Sequence, residues 1–228
     1  MKLAIGYIAT NEELMLKKFL PEISKAVNKN IVAIDYNSTD STRELFEKYG
    51  KAVKTMEWTR HFGEAKTNLI KLAEEQEYDW LFVLDADETF DVRKIKNIIN
   101  CIKQNDYDCY FFPRVNYAGI GIIDGNIQSF PDLQARLFKL NIGYHYRNVV
   151  HCLLYKGDDE QCAWELNYGA IIPIFLEHFK GLKSEIDNII SVAERESMAE
   201  GNSEIKEISQ VKDTILEKTN KPLIIELH

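Results

Sequence analysis

Four cysteines in 228 residues, at positions 101, 109, 152 and 162, include no Cys-x-x-Cys pair. That spacing speaks against the closely paired ligands of a zinc site and against a small disulfide-stapled domain, so reduced thiols are the reading. Positive charge is in short supply: 28 Lys and Arg stand against 36 Asp and Glu, a formal net charge of −8. Nucleic-acid binding needs a basic face to neutralise phosphates, and the lysines here are scattered among glutamates, so no nucleic-acid partner is expected. No apolar run approaches the ~20 residues of a membrane helix. The N-terminal run stops at Asn11 and Glu12 with no small-residue cleavage site after it, which reads as a first strand. The expectation is a cytoplasmic protein without a membrane span, any membrane contact being peripheral. Repeats and low-complexity tracts are missing as well. What remains is an ordinary globular composition, 45% apolar and 28% charged.

Within that composition the first half alternates strand and helix. Leu3 to Ala9 reads as a strand, followed by a helix capped by Asn11 that carries Leu14, Leu16, Phe19 and Leu20. Ile31 to Ile34 is a second strand. A helix near Ser41 then carries Leu45, Phe46 and Tyr49 to Gly50, and Ala52 to Trp58 forms a third strand. Residues 64–75 follow helical spacing through Ala65, Leu69, Leu72 and Ala73. Trp80 to Leu84 is apolar throughout, like a strand covered on both faces. This order predicts an α/β fold with a mostly parallel sheet and helices on both faces. From about Asp108 the strands become short and the connections long, with Gly119, Gly121 and Gly125 between them, which predicts a small antiparallel lobe. C-terminal helices are expected over 182–199 and 203–218. The whole reads as one domain: a binding half at 1–107, an acceptor-side half at 108–180 and the C-terminal helices at 181–228.

Open parallel sheets bind ligands beyond the carboxyl ends of their strands. Three polar clusters fall at those ends: Thr10-Asn11-Glu12, Asp35 to Asp40, and Asp85 to Glu88. They are therefore expected to converge. Asp85 and Asp87, one residue apart after a buried strand, supply the oxygen ligands that a hard divalent cation needs when phosphates and water complete its shell.

These residues carry a resemblance. Ile8-Ala-Thr-Asn-Glu-Glu, Asp35-Tyr-Asn-Ser-Thr-Asp-Ser-Thr, Phe62-Gly-Glu-Ala-Lys, Asp79-Trp80 and Leu84-Asp-Ala-Asp-Glu are similar, in order and spacing, to GT-A type nucleotide-sugar glycosyltransferases of the inverting family 2. Pro131-Asp-Leu-Gln-Ala-Arg-Leu-Phe, Val150-His151 and Glu177-His178 resemble the subgroup that builds lipopolysaccharide cores. The resemblance implies a GT-A-like (Rossmann-like) fold and transfer of a sugar from a nucleotide-sugar, UDP-linked, to a glycan or other hydroxyl acceptor. It implies that Asp35 accepts a hydrogen bond from the donor base and that Thr10 flanks that base. Lys66 helps hold the donor, and Asp85 contacts the ribose or the metal through water. Asp87 ligates Mn²⁺ or Mg²⁺ directly, with His178 near the metal and diphosphate and His151 on the acceptor side.

The chain departs from the family pattern at four places. Lys66 stands for an arginine, Thr67 for an asparagine, and Thr10 for an aromatic residue that stacks on the base. Cys152 stands where the subgroup's Val-His-Glu has its acid. Inverting transfer needs a carboxylate base, and Asp132 is the substitute candidate, with Glu64, Asp124, Asp158 and Glu165 left open. Two other readings remain. Leu81 to Thr89 also fits the strand-DxDxT of a haloacid-dehalogenase phosphatase with Asp85 as nucleophile, and the missing acid would suit a non-catalytic nucleotide-sugar-binding module.

Overall fold

The computed structural model describes residues 1–118, 122–123, 132–163 and 169–179. All of them lie in one compact unit, Met1–Leu182. In chain order the elements are β1 (Leu3–Ala9), α1 (Glu13–Ala26), β2 (Ile31–Asp35), α2 (Thr42–Tyr49), β3 (Ala52–Thr55), α3 (Phe62–Glu75), β4 (Trp80–Val83), β5 (Glu88–Phe90) and α4 (Ile95–Gln104). There follow β6 (Cys109–Ala118), β7 (Ile122–Ile123), β8 (Asp132–Lys139), β9 (Tyr144–Arg147), β10 (Leu153–Lys156), β11 (Gly169–Ile171) and β12 (Leu176–Phe179). The expected C-terminal helices and the Gly119 to Gly125 stretch lie outside the described residues.

One sheet organises the unit, in the order β3-β2-β1-β4-β8-β6-β12-β5, with β7 and β11 both paired to β6. Its first four strands are parallel. At β4 the direction changes: β8 pairs antiparallel to β4, and β6 antiparallel to β8. The sheet is thus parallel in its first half and mixed in its second. The expected antiparallel addition is present, mostly as an extension of the same sheet. Only β9 and β10 form a separate two-stranded ribbon.

Alternation along the strands sends apolar side chains to both faces. Ile5 and Tyr7 of β1, Ile31 of β2 and Phe82 of β4 meet Leu16, Leu20 and Ile23 of α1, Phe46 of α2, and Ile95, Ile98 and Ile102 of α4. Ala4, Val32, Ile34, Leu81 and Val83 meet Ala65, Leu69, Leu72 and Ala73 of α3. Helices therefore cover both faces, as the strand–helix alternation required. The expected N-cap differs. Asn11 takes a left-handed backbone (φ 54°) and Glu12 is the residue that precedes α1. The Asn11 side chain instead accepts from the Thr39 amide at 2.8 Å, tying the end of β1 to the turn after β2. Among the described residues no helix is long and apolar enough to cross a membrane.

Helix α3 meets the β9–β10 connection through main-chain groups. The Phe62 and Gly63 amides donate to Val149 and Asn148 carbonyls at 2.9 and 3.1 Å. A Cβ on Gly63 would lie 2.6 Å from the Asn148 carbonyl oxygen, closer than packed atoms come. Gly63→Ala is expected to push this connection off the helix and to lower stability by about 1–3 kcal/mol, read as a lowered urea midpoint with an unchanged slope. An unchanged midpoint would show that the contact is dispensable.

Candidate active site

The parallel strands deliver two groups of predicted residues to one sheet edge. Ala9 of β1 is in register with Asp35 of β2, so Thr10 follows one step beyond, beside Tyr36. Thr10 Oγ1 donates to the Tyr36 carbonyl at 3.2 Å, and Thr10 itself is exposed. Asp35 is 1% exposed, and one of its carboxylate oxygens, Oδ1, has no hydrogen-bond partner among the described residues; the other receives a long bond from the Ser38 amide, 3.4 Å. A buried acceptor left open in this way costs free energy unless a ligand fills it. Arg60, in the loop before α3, carries donors that are likewise unmatched. Its backbone is left-handed (φ 60°), and its buried Nε and Nη2 have no partner among the described residues. Beside them Trp58 packs edge-on against Tyr36 and Phe62, at 5.2 and 4.8 Å between ring centres.

Two strands along the same edge, roughly 10 Å away by ordinary strand spacing, begins a continuous polar network. The Asp85 carboxylate lies 3.2 Å from Lys66 Nζ and 2.7 Å from Arg136 Nη2. Burial works to raise its pKa, but the Arg136 and Lys66 charges prevail and hold it well below the usual carboxylate range. Arg136 also meets Glu88 at 2.5 Å, and Arg114 meets Glu88 at 3.2 Å. Glu88 is fully buried. Arg114 places Nη2 and Nε on Asp132 at 2.6 and 2.8 Å. Asp132 also accepts from Gln134 at 2.6 Å and Asn116 at 3.4 Å. Asn116 Oδ1 is 2.6 Å from His178 Nδ1, and His178 Nε2 is 3.2 Å from Asp87. Lys66, Asp85, Asp132, His178 and Asp87 are thereby joined in one chain of contacts.

Sheet register builds this face. Arg114 of β6 is opposite Asp132 of β8, Asn116 is opposite His178 of β12, and His178 is opposite Glu88 of β5. Arg136 has no opposite number on β6, because Tyr110 pairs with Leu137 and Phe111 with Ala135. A bulge of this kind re-aims a side chain, and here it turns Arg136 toward the acids that follow β4.

The remaining candidates are placed differently. Glu64 takes the Thr59 hydroxyl at 2.9 Å, His61 caps α3 by accepting from the Glu64 amide at 3.0 Å, and Asp158 sits in the turn after β10. Asp124 and Glu165 lie outside the described residues. His151 is exposed with a left-handed backbone (φ 51°) in the β9–β10 connection. Its neighbour Cys152 is half-buried; burial pushes the thiol pKa up, and the charges of Lys66, Asp85 and Arg136 all act on it. The connection therefore flanks the network. Burial also acts to raise the Asp132 pKa, but Arg114, Gln134 and Asn116 hold it below the ordinary value, so the carboxylate stays ionised. Sequence reasoning gave no role to Glu88, Arg114, Asn116 or Arg136. The signal was a period of two: Asp132, Gln134 and Arg136 alternate with Leu133, Ala135 and Leu137, as Arg114 and Asn116 do around Val115.

Among the described residues no group of three or more ligating side chains gathers around one point. Asp87 and His178 could still hold a divalent ion as a pair, an oxygen and an imidazole nitrogen, if phosphates and water supplied the other ligands. Asp85, already held by two cations, is less available for direct ligation.

Comparison with known proteins agrees with this architecture. A curated relative, the dTDP-rhamnosyl transferase RfbG of Shigella flexneri, is 31% identical over 109 residues, covering 44% of this chain and 38% of the relative. The chain thus accounts for well under half of that protein's length. Among solved structures, S. aureus TarS 1–349 in complex with UDP-GlcNAc shares the fold, with a TM-score of 0.57 at 14% identity over 96% of this chain and 71% of that one. The same fragment of TarS without that ligand gives 0.55 at 14% identity, over 89% and 73%. Residues 5–156, which run from within β1 to the end of β10 and contain every residue of the network except His178, match the profile of Glycosyl transferase family 2, and the chain belongs to that family.

Proposed function

We propose that this chain transfers a sugar from a pyrimidine nucleotide-sugar to an acceptor hydroxyl with inversion, aided by Mn²⁺ or Mg²⁺ held between Asp87 and His178. The observation that carries the reading is the open, buried Oδ1 of Asp35 on the same sheet edge as the Asp87–His178 pair. The imide edge of uracil or thymine offers an N–H flanked by carbonyls. Asp35 would accept from that N–H, and the unpaired Arg60 donors suit a carbonyl beside it. Uracil is the base of the UDP-GlcNAc bound in the TarS complex and thymine that of the dTDP in the name of RfbG; UDP is our first expectation.

Charge bookkeeping favours a metal. Asp85, Asp87, Glu88 and Asp132 face Lys66, Arg114 and Arg136, four acids against three cations. A diphosphate entering this excess of negative charge needs a cation, and when bound the ion would neutralise the departing nucleoside diphosphate. Lys66, 13% exposed, reaches Asp85 from α3 and would hold the donor's phosphates or ribose through the same ammonium. The acceptor oxygen attacks the anomeric carbon as the bond to the diphosphate breaks, and its proton passes to a carboxylate. Asp132 is proposed for that role: it is ionised and 21% exposed, whereas Glu88 has no exposed surface. The acceptor hydroxyl would replace Gln134 as its donor. His151 is proposed to face the acceptor from the β9–β10 connection. The phosphatase alternative needs Asp85 as a free nucleophile, and Lys66 and Arg136 occupy it.

Thermal unfolding with UDP, dTDP, CDP and GDP, each with and without Mn²⁺, tests the donor site. UDP is expected to raise Tm only with the metal, by the equivalent of about 2.7 kcal/mol at one hundred times Kd. No shift with any nucleotide in a folded protein sinks the proposal; a shift without sugar transfer to any acceptor identifies a binding module. Asp87→Ala is expected to remove the metal-dependent part of the shift and to lower kcat at least ~100-fold with the apo Tm retained. Wild-type turnover in that variant rules out the metal role. Asp35→Ala is expected to weaken nucleotide Kd by about ten- to a hundredfold, the worth of a hydrogen bond to a charged group, and to alter kcat less. An unchanged Kd moves the base elsewhere.

A further inference from the structure

Asn116 lies between two groups with opposite demands. On one side its Nδ2 is 3.4 Å from Asp132 Oδ2; on the other its Oδ1 is 2.6 Å from His178 Nδ1. An ionised carboxylate only accepts hydrogen bonds, so the amide must turn its NH₂ toward Asp132 and its oxygen toward the ring. That oxygen in turn only accepts, so His178 must carry its proton on Nδ1. In the neutral ring Nε2 is then a bare lone pair, and Nε2 is the atom 3.2 Å from Asp87 Oδ2. In that neutral form two acceptors face each other, an arrangement that a shared cation satisfies, whereas a doubly protonated ring would donate Nε2–H to Asp87. The opposite amide orientation would leave a proton on Nε2, which would satisfy Asp87 directly and close the position.

We infer that Asn116 is a positioning residue that holds His178 in its Nδ1–H tautomer with Nε2 open toward a divalent cation, and that Asp132 sets the orientation of the Asn116 amide. The inference rests on the reading of Asp87 and His178 as the ion's ligands and extends it one layer outward. The supports are rigid. Asn116 and His178 are register partners on neighbouring parallel strands. Asp132 is held on the next strand by Arg114 through one oxygen and Gln134 through the other. His178 is 8% exposed, which limits the water that could offer Nδ1 a different partner. Metal-ligating histidines elsewhere are oriented by a partner on their second nitrogen, and loss of it costs 10- to 100-fold in affinity. Exchanging an orienting carboxylate for an amide is known to install the wrong tautomer.

The test uses the full chain labelled with ¹⁵N-histidine, in mildly alkaline buffer without metal, the His178 signals being identified by their loss in His178→Ala. The wild type is expected to show a protonated Nδ1 and a bare Nε2. Asn116→Leu, close in volume but without an acceptor, is expected to lose that preference, and Asn116→Asp, which keeps an acceptor toward Nδ1, to retain it. Asp132→Asn is expected to give a mixture, since either amide can then turn. Mn²⁺ titration with UDP present, followed by electron paramagnetic resonance, is expected to show ~10- to 100-fold weaker binding in Asn116→Leu and near-normal binding in Asn116→Asp. A wild-type ring protonated on Nε2, or an Asn116→Leu ring unchanged from wild type, overturns the inference whatever the metal does. Mn²⁺ binding that survives His178→Ala overturns the underlying ligand assignment instead, and the tautomer spectra still decide the role of Asn116.

Discussion

Glu88 is a carboxylate with no exposed surface, and the site is arranged around the two guanidinium groups that neutralise it. Taking such a charge out of water costs several kcal/mol, and the cost is met only when the counter-charges are held in good geometry. Arg136 and Arg114 meet that condition, and each also reaches a second acid, Asp85 and Asp132 respectively. One buried anion therefore sets the positions of two cations, and through them of a carboxylate on the parallel side of the sheet and one on the mixed side. Arg136 keeps its charge firmly: burial acts to lower its pKa, yet Asp85 and Glu88 raise it above the ordinary value. Dipoles and charges fixed before a ligand arrives need no reorganisation when charge develops on it.

The change of strand direction at β4 has a functional side. Strands β1, β2 and β4 run the same way and so carry Thr10, Asp35 and Asp85 toward one edge. Beyond β4, strand β8 runs the other way, so its first residues, Asp132 to Arg136, lie at the edge where β4 finishes. A parallel neighbour would have brought its last residues there. The reversal lets the start of one strand meet the end of another, and the polar positions of β8, β6 and β12 close the edge from the far side.

Much of this was legible in the sequence. The apolar runs at Leu3, Ile31 and Trp80 are buried strands, and the helices at 42–49 and 62–75 fall where their spacing placed them. Lys66, Asp85, Asp87, Asp132 and His178 were singled out from residues alone and the resemblance, and they lie in one chain of contacts. Local signals could not show how they are joined. The register shift that aims Arg136 depends on a partner strand some 25 positions earlier in the chain. The burial of Glu88 depends on β12, about 90 positions later. Helix α4 is readable as well, since Ile95, Ile98 and Ile102 repeat at helical spacing. Asn11 shows the opposite failure: a good capping residue by type was drawn into a left-handed turn because Thr39 offered its side chain a tertiary partner.

The connection between β9 and β10 is fastened to α3 by peptide groups, through Phe62 and Gly63 on one side and Val149 and Asn148 on the other. Peptide groups are the same whatever side chains they carry. A replacement at Asn148 that tolerates its left-handed backbone (φ 75°), glycine or aspartate above all, therefore keeps these bonds to the helix that presents Lys66. Such an anchor separates two constraints: main-chain groups fix where the connection lies against the helix, while side-chain identity along it is limited by backbone conformation.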